Sequence, residues 1–267
     1  MDPLLIAALL VLGACTGFVA GLLGIGGGML MVPFMTMLLG QAGVPAADVV
    51  KVAIATSLTT VVFTSMSSVR AHHKRGAVRW DLVRSLSPGI LFGSLAGAQI
   101  AGAVPGRVLA AFFGLFIGYS ALKMLGGRTA SAAGALPGAG GMFAAGSGIG
   151  ALSALLGAGG GFITVPYLVR RGVGIQGAVA SSAACGFPIA LAGTIGYAWA
   201  GRHLPMPAGT IGYVYLPALA VIAAASMLTA PFGARVAHAL PQASLRRVFS
   251  GLLLALAMYM LGLAIRG

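Results

Sequence analysis

The chain alternates long apolar stretches with short polar ones. About 20 consecutive apolar residues are enough for a helix to cross the hydrocarbon of a bilayer. Stretches of that length lie near 3–23, 51–70, 85–104 and 107–126, and again near 137–156, 176–200, 211–233 and 246–265. Two shorter apolar pieces, near 29–39 and 162–169, each follow a cluster of glycines. At roughly 1.5 Å per residue, pieces of this size reach about halfway across the layer.

The same order of segments occurs twice, and the glycine-rich part repeats in detail. Residues Gly17 to Phe34 align without gaps on Gly150 to Tyr167, with nine of these eighteen positions identical. Downstream, Lys51 to Ser57 follows the pattern of Gln176 to Ser182. Pro105 answers to Pro241, and Met124-Leu125-Gly126 to Met260-Leu261-Gly262. This predicts an all-α polytopic membrane protein made of two copies of one unit, each a glycine-broken re-entrant hairpin followed by three transmembrane helices. The first unit is 1–130, with its hairpin at 3–39 and helices at 51–70, 85–104 and 107–126. The second is 137–267, with its hairpin at 137–169 and helices at 176–200, 211–233 and 246–265.

Composition agrees with a bilayer setting. Of 267 residues, 59% are hydrophobic and only 7% charged, against about 25% charged in soluble domains. That leaves too little polar surface for a water-soluble globule. The net charge of +13 does not point to nucleic acid, because the basic residues sit singly or in short runs between apolar stretches instead of on one soluble face. Cys15 and Cys185 are far apart and within apolar sequence, so they read as small buried hydrophobes. The N-terminus carries Asp2 and no basic leader, so the first segment reads as retained.

The positive charge does orient the chain. With the stretch 70–84 in the cytoplasm, and with each glycine hairpin returning to the side it entered, twelve basic residues fall inside: Arg70, Lys74, Arg75, Arg79, Arg84, Lys123, Arg128, Arg170, Arg171, Arg235, Arg246 and Arg247. Lys51, Arg107, Arg202 and Arg266 fall outside, the bias expected of an inner-membrane protein. Each unit then makes three full crossings, so the second copy is inverted, as in many secondary transporters.

Candidate chemistry concentrates at the glycines. A break in the backbone at membrane depth leaves peptide groups that only protein or a water-filled cavity can satisfy. The short helices starting near Met29 and Phe162 would aim unpaired N–H groups and the positive ends of their dipoles at the midplane, a setting that favours an anion without a buried cation. Close packing of small residues is the alternative reading of the same glycines. A nucleotide phosphate loop would need a Gly-Lys-Ser/Thr ending, which is absent. Pro33 and Pro166 read as kinks or as first-turn prolines of the half-helices.

Thr56 and Ser57, with Thr59 and Thr60, are answered by Ser181 and Ser182. Such hydroxyls can donate to an oxyanion, or can bond a carbonyl one turn back in their own helix. Gln99 reads as interhelical glue, and His72 and His73 as part of a solvated cytoplasmic loop. The chain has three acids, and none falls in a transmembrane segment to relay protons or hold sodium. No Ser-His-Asp or paired-carboxylate constellation suggests an enzyme, and no metal or cofactor is indicated.

The paired Gly-Gly-Gly-x-x-x-Val-Pro motifs at 26–33 and 159–166 resemble those of the sulfite exporter TauE/SafE family of membrane permeases. So do the Ala-Thr-Ser element after the first motif and the repetition of the whole unit. The resemblance covers roughly 10–265. It implies transport of small sulfur-containing oxyanions, sulfite or organosulfonates, across the bacterial cytoplasmic membrane. The implied binding region comprises Gly26, Gly27, Gly28, Thr56, Ser57, Gly159, Gly160, Gly161, Ser181 and Ser182. Met29 and Phe162 join it as the first residues of the half-helices. The second hydroxyl element departs mildly, with Ser-Ser-Ala in place of Thr-Ser-Leu. The expected partners are the lipid bilayer and a small anion; association with further copies of the chain stays open. A transporter of a carboxylate or metal cation, and an accessory membrane protein without transport, are the competing expectations.

Overall fold

The computed structural model describes residues 3–23, 28–125, 134, 136–236 and 242–266. Ten α-helices carry nearly all of them: α1 (Pro3–Leu23), α2 (Gly28–Leu39), α3 (Val49–Lys74), α4 (Trp80–Ala103), α5 (Gly106–Leu125), α6 (Ala139–Leu156), α7 (Gly161–Arg170), α8 (Ile175–Ala200), α9 (Leu216–Val236) and α10 (Gln242–Arg266). By length and composition α3, α4, α5, α6 and α8 can each cross a membrane. The protein is an all-α polytopic membrane protein. Apolar side chains such as Val11, Phe92, Leu115, Ile195, Leu228 and Met258 point outward, as a lipid-facing surface requires.

Helices α3 and α8 pack together in the middle, and along α3 the run Val52 to Ala55 is fully buried. Helix α4 lies against α6 and α8, α1 against α9, and α5 against α10; the short α2 and α7 rest on α3 and α8. Where no hydrophobic force draws helices together, close backbone approach does much of the binding. The α4–α6 contact shows this. Gly89, Gly93 and Gly97 of α4 run against the backbone at Phe143, Ser147 and Ala151 of α6, and a β-carbon on Gly93 would collide with the Ser147 carbonyl. Gln99 Nε2 donates to the Gly196 carbonyl at 2.9 Å, tying α4 to α8.

Four details depart from the sequence expectations. The segment expected to be helical from 211 begins instead as a two-stranded hairpin, Thr210–Ile211 with Val214–Tyr215, and α9 starts only at Leu216. Gly212 takes a left-handed conformation in the turn (φ 57°), which glycine adopts readily, and Pro217 fits the first turn of the helix that follows. Second, α3 continues through His72 and His73 to Lys74, so the histidines are helical and not loop residues. His73 Nδ1 accepts a bond from Trp80 Nε1 at 3.2 Å. Third, of the two readings of Pro33 and Pro166 the first-turn one fails, because they are the sixth residues of α2 and α7. They are interior prolines, and the carbonyls of Met29 and Phe162 therefore lose their helical donors. Fourth, Cys15 is exposed, while Cys185 is buried as expected.

Lys51 is buried near the start of α3. Its Nζ donates to the Gly102 carbonyl at 2.9 Å and lies 3.6 Å from Asp48 Oδ1. It also sits 5.4 Å from the ring centroid of Tyr213. Burial, with Asp48 nearby, pushes the Tyr213 hydroxyl up to about 12, so the phenol stays protonated at neutral pH.

Candidate anion site at the glycine turns

The turn between α6 and α7 is built by two left-handed glycines. Gly157 (φ 63°) ends α6, with its own N–H directed to the Ala154 carbonyl and the Ala158 N–H to that of Ser153, the double bond pattern of a Schellman cap. Gly160 (φ 73°) opens α7. An L side chain at either position would be strained. Among the described residues, the N–H groups of Gly159, Gly160, Gly161 and Phe162 donate to no hydrogen bond. They form the bare positive end of α7, which is ten residues long.

The turn is held between α2, α3 and α8. Ser57 Oγ of α3 donates to the Gly157 carbonyl at 2.8 Å. A β-carbon on Gly157 would press on Val32 of α2 and Ile54 of α3, and one on Gly159 would lie 3.0 Å from Val61 of α3. Gly28, the first residue of α2, packs so tightly on the turn that a β-carbon there would strike the Gly157 carbonyl oxygen. The starts of the two short helices are thus neighbours. Gly26 and Gly27 lie outside the described residues.

The hydroxyls expected at the site divide into four kinds. Thr56 and Ser181 are acceptors for the chain entering another helix. The Tyr215 N–H, just before α9, donates to Thr56 Oγ1 at 3.0 Å. The Arg79 N–H, just before α4, donates to Ser181 Oγ at 3.0 Å. Ser57 holds the turn itself. Ser182 is buried with no partner for its Oγ among the described residues; its counterpart in the repeat is Ser57, and the carbonyl matching that of Gly157 belongs to Gly24, outside the described residues. Thr59 and Thr60 bond back to the Ala55 and Thr56 carbonyls at 2.8 and 2.9 Å. Met29 is buried, and the half-buried Phe162 meets Phe116 of α5 edge-on at 5.4 Å.

Two residues at the turn escaped the sequence reading. Ser153 near the end of α6 and Thr164 in the first turn of α7 are both fully buried, and neither hydroxyl has a partner among the described residues. Leaving such a group unpaired costs about 1–3 kcal/mol. Their only signal in the sequence is a difference between the copies, since the aligned positions in the first are Ala20 and Met31.

A bundle of long apolar helices, with the starts of the short helices α2 and α7 as neighbours within it, fits a membrane transport protein. Residues 9–260 match the sulfite exporter TauE/SafE family, and the chain belongs to that family. It is 35% identical to a "probable membrane transporter protein" of Haemophilus influenzae over 258 residues, 94% of this chain and 96% of the relative. A protein of the same description from Methanocaldococcus jannaschii is 28% identical over 265 residues, 97% of this chain and 96% of that one. A "probable membrane transporter protein" of Bacillus subtilis is 42% identical over a shorter stretch of 84 residues, 32% of this chain and 28% of the relative. No solved structure matches the chain significantly.

Proposed function

We propose that the chain is a permease for small sulfur-containing oxyanions, sulfite or an organosulfonate, and that it exports them across the bacterial cytoplasmic membrane. The observation that carries this reading is the buried start of α7. Among the described residues, four successive N–H groups are without acceptors there, beside the start of α2. Such an end favours negative charge. The family description supports sulfite as the substrate class.

In this reading the substrate sits between two inverted units, 1–130 and 137–267, and the units rock around it. The helix pairings support the division. Helix α4 of the first unit lies on α6 of the second as α9 of the second lies on α1 of the first. Likewise α2 lies on α3 as α7 lies on α8. The bonds of Thr56 to Tyr215 and of Ser181 to Arg79 are exchanged by the same swap. Twelve basic residues on one side against four on the other support the inversion.

An inside-negative potential contributes about 2.3 kcal/mol per charge per 100 mV, which drives an anion outward without a coupled cation. Carboxylates are the nearest competing substrates, since helix N-termini hold them equally well. A metal cation has less in its favour: among the described residues no three His, Cys, Asp or Glu side chains come together. Thermal denaturation in detergent with sulfite, thiosulfate, sulfate, sulfoacetate, taurine, acetate and succinate separates these readings. Stabilisation by one or more of the sulfur oxyanions, exceeding that by acetate and succinate, is expected. Stabilisation by the carboxylates alone would transfer the assignment to them.

A further inference from the structure

We propose that Ser153 and Thr164 are substrate-binding hydroxyls, so that the anion is gripped chiefly by the second glycine turn and not shared equally between the two. This rests on the anion-permease reading and adds to it the residues that grip the substrate. Both hydroxyls are fully buried and lack partners among the described residues. Both are aimed at the turn: a β-carbon on Gly160 would lie 2.9 Å from Ser153 Oγ and 3.4 Å from Thr164 Oγ1. The N–H groups of Gly159 to Phe162, also without acceptors, belong to the same turn.

Hydroxyls in apolar helices ordinarily bond a carbonyl one turn back. Thr16, Thr36, Thr60, Ser87, Ser120 and Thr229 all do so here. For Thr164 the carbonyl one turn back is that of Gly160, which already accepts the N–H groups of Ile163 and Thr164. Three more hydroxyls without partners among the described residues, Ser94, Ser182 and Ser250, lie within α4, α8 and α10, so burial alone is not the signal. At Ser153 and Thr164, free hydroxyl donors and free peptide donors coincide, and together they match the several acceptor oxygens of a sulfur oxyanion.

The first copy cannot reproduce this grip. Ala20 and Met31 stand at the aligned positions, and neither has a donor in its side chain. The aligned segments of the two copies therefore differ in side-chain chemistry although they share a glycine pattern.

The test uses Ser153→Ala, Thr164→Val and the double variant of the full chain, with Thr16→Val as control because its hydroxyl is bonded to the Leu12 carbonyl at 2.7 Å. Melting is measured in detergent with and without sulfite, and sulfite flux in proteoliposomes gives the half-saturating concentration. Removing an unpartnered buried hydroxyl should leave the anion-free melting temperature unchanged or raise it. The sulfite-induced rise should shrink in each single variant and vanish in the double. The half-saturating concentration should increase about tenfold or more per hydroxyl, the size expected for a hydrogen bond to a charged group. Thr16→Val should leave it unchanged. A sulfite-induced rise and a half-saturating concentration within twofold of wild type in the double variant would overturn the proposal and leave the permease reading standing. So would a clear drop in anion-free stability, since it would mean the hydroxyls bond within the protein. A wild-type protein that neither binds nor moves any sulfur oxyanion would remove the permease reading, and this proposal with it.

Discussion

Thr56 offers a clean separation between holding the fold and holding a substrate. Its Oγ1 accepts the N–H of Tyr215 at 3.0 Å, with Thr56 fully buried and Tyr215 only 5% exposed. Thr56→Val keeps the side-chain shape and removes the acceptor. The Tyr215 N–H is then left unpaired out of reach of water, which costs about 1–3 kcal/mol, or a factor of about 5 to 150 in the folded-to-unfolded ratio. Thr56→Ser restores the oxygen and should recover most of the loss. Unfolding by sodium dodecyl sulfate titrated into dodecylmaltoside micelles measures both. The sulfite concentration for half-maximal flux, taken on the folded fraction, should change less than twofold in Thr56→Val. Valine at 56 within about 0.5 kcal/mol of wild type, or serine as damaging as valine, would refute the capping role. A large change in half-saturation with little loss of stability would return Thr56 to the substrate.

Other substitutions probe the architecture around the site. Ser181→Ala should cost a similar amount in the same micelle titration, smaller if water reaches the Arg79 N–H it leaves behind. Gly160→Ala combines a left-handed backbone with a β-carbon 2.5 Å from Ile189 Cδ1; strain and overpacking together should lower stability by about 2–4 kcal/mol and stop flux. Gly93→Leu drives a side chain into the α6 backbone at Ser147 and should prevent accumulation of folded protein, read by size-exclusion chromatography. Lys51→Met leaves Asp48 and the Gly102 carbonyl without their cation and should cost about 1–3 kcal/mol; adding Asp48→Asn should recover part of it.

Hydropathy located the helices because the bilayer imposes their length, and it erred where hydropathy and hydrogen bonding part. The span expected at 51–70 is a helix from Val49 to Lys74, because the hydrogen-bond ladder continues past the point where apolar sequence stops. The reverse holds at 211–215, where apolar residues form a β-hairpin under the turn chemistry of Gly209, Gly212 and the nearby prolines. The turn at Gly157 and Gly160 was legible because few residues tolerate its left-handed backbone. The hydroxyls were not, because a serine in an apolar helix looks the same whether it bonds its own helix, another backbone or nothing. Thr60, Thr56 and Ser153 are three such hydroxyls with three different fates. Rotamer and neighbour decide among them, and neither is written in the local sequence.

The most direct measurement is sulfite flux in proteoliposomes under a potential imposed with potassium and valinomycin. The account predicts saturable, protein-dependent movement that accelerates toward the positive side and is lost in Gly160→Leu. Flux no faster than in protein-free vesicles for sulfite, thiosulfate and organosulfonates alike would contradict it.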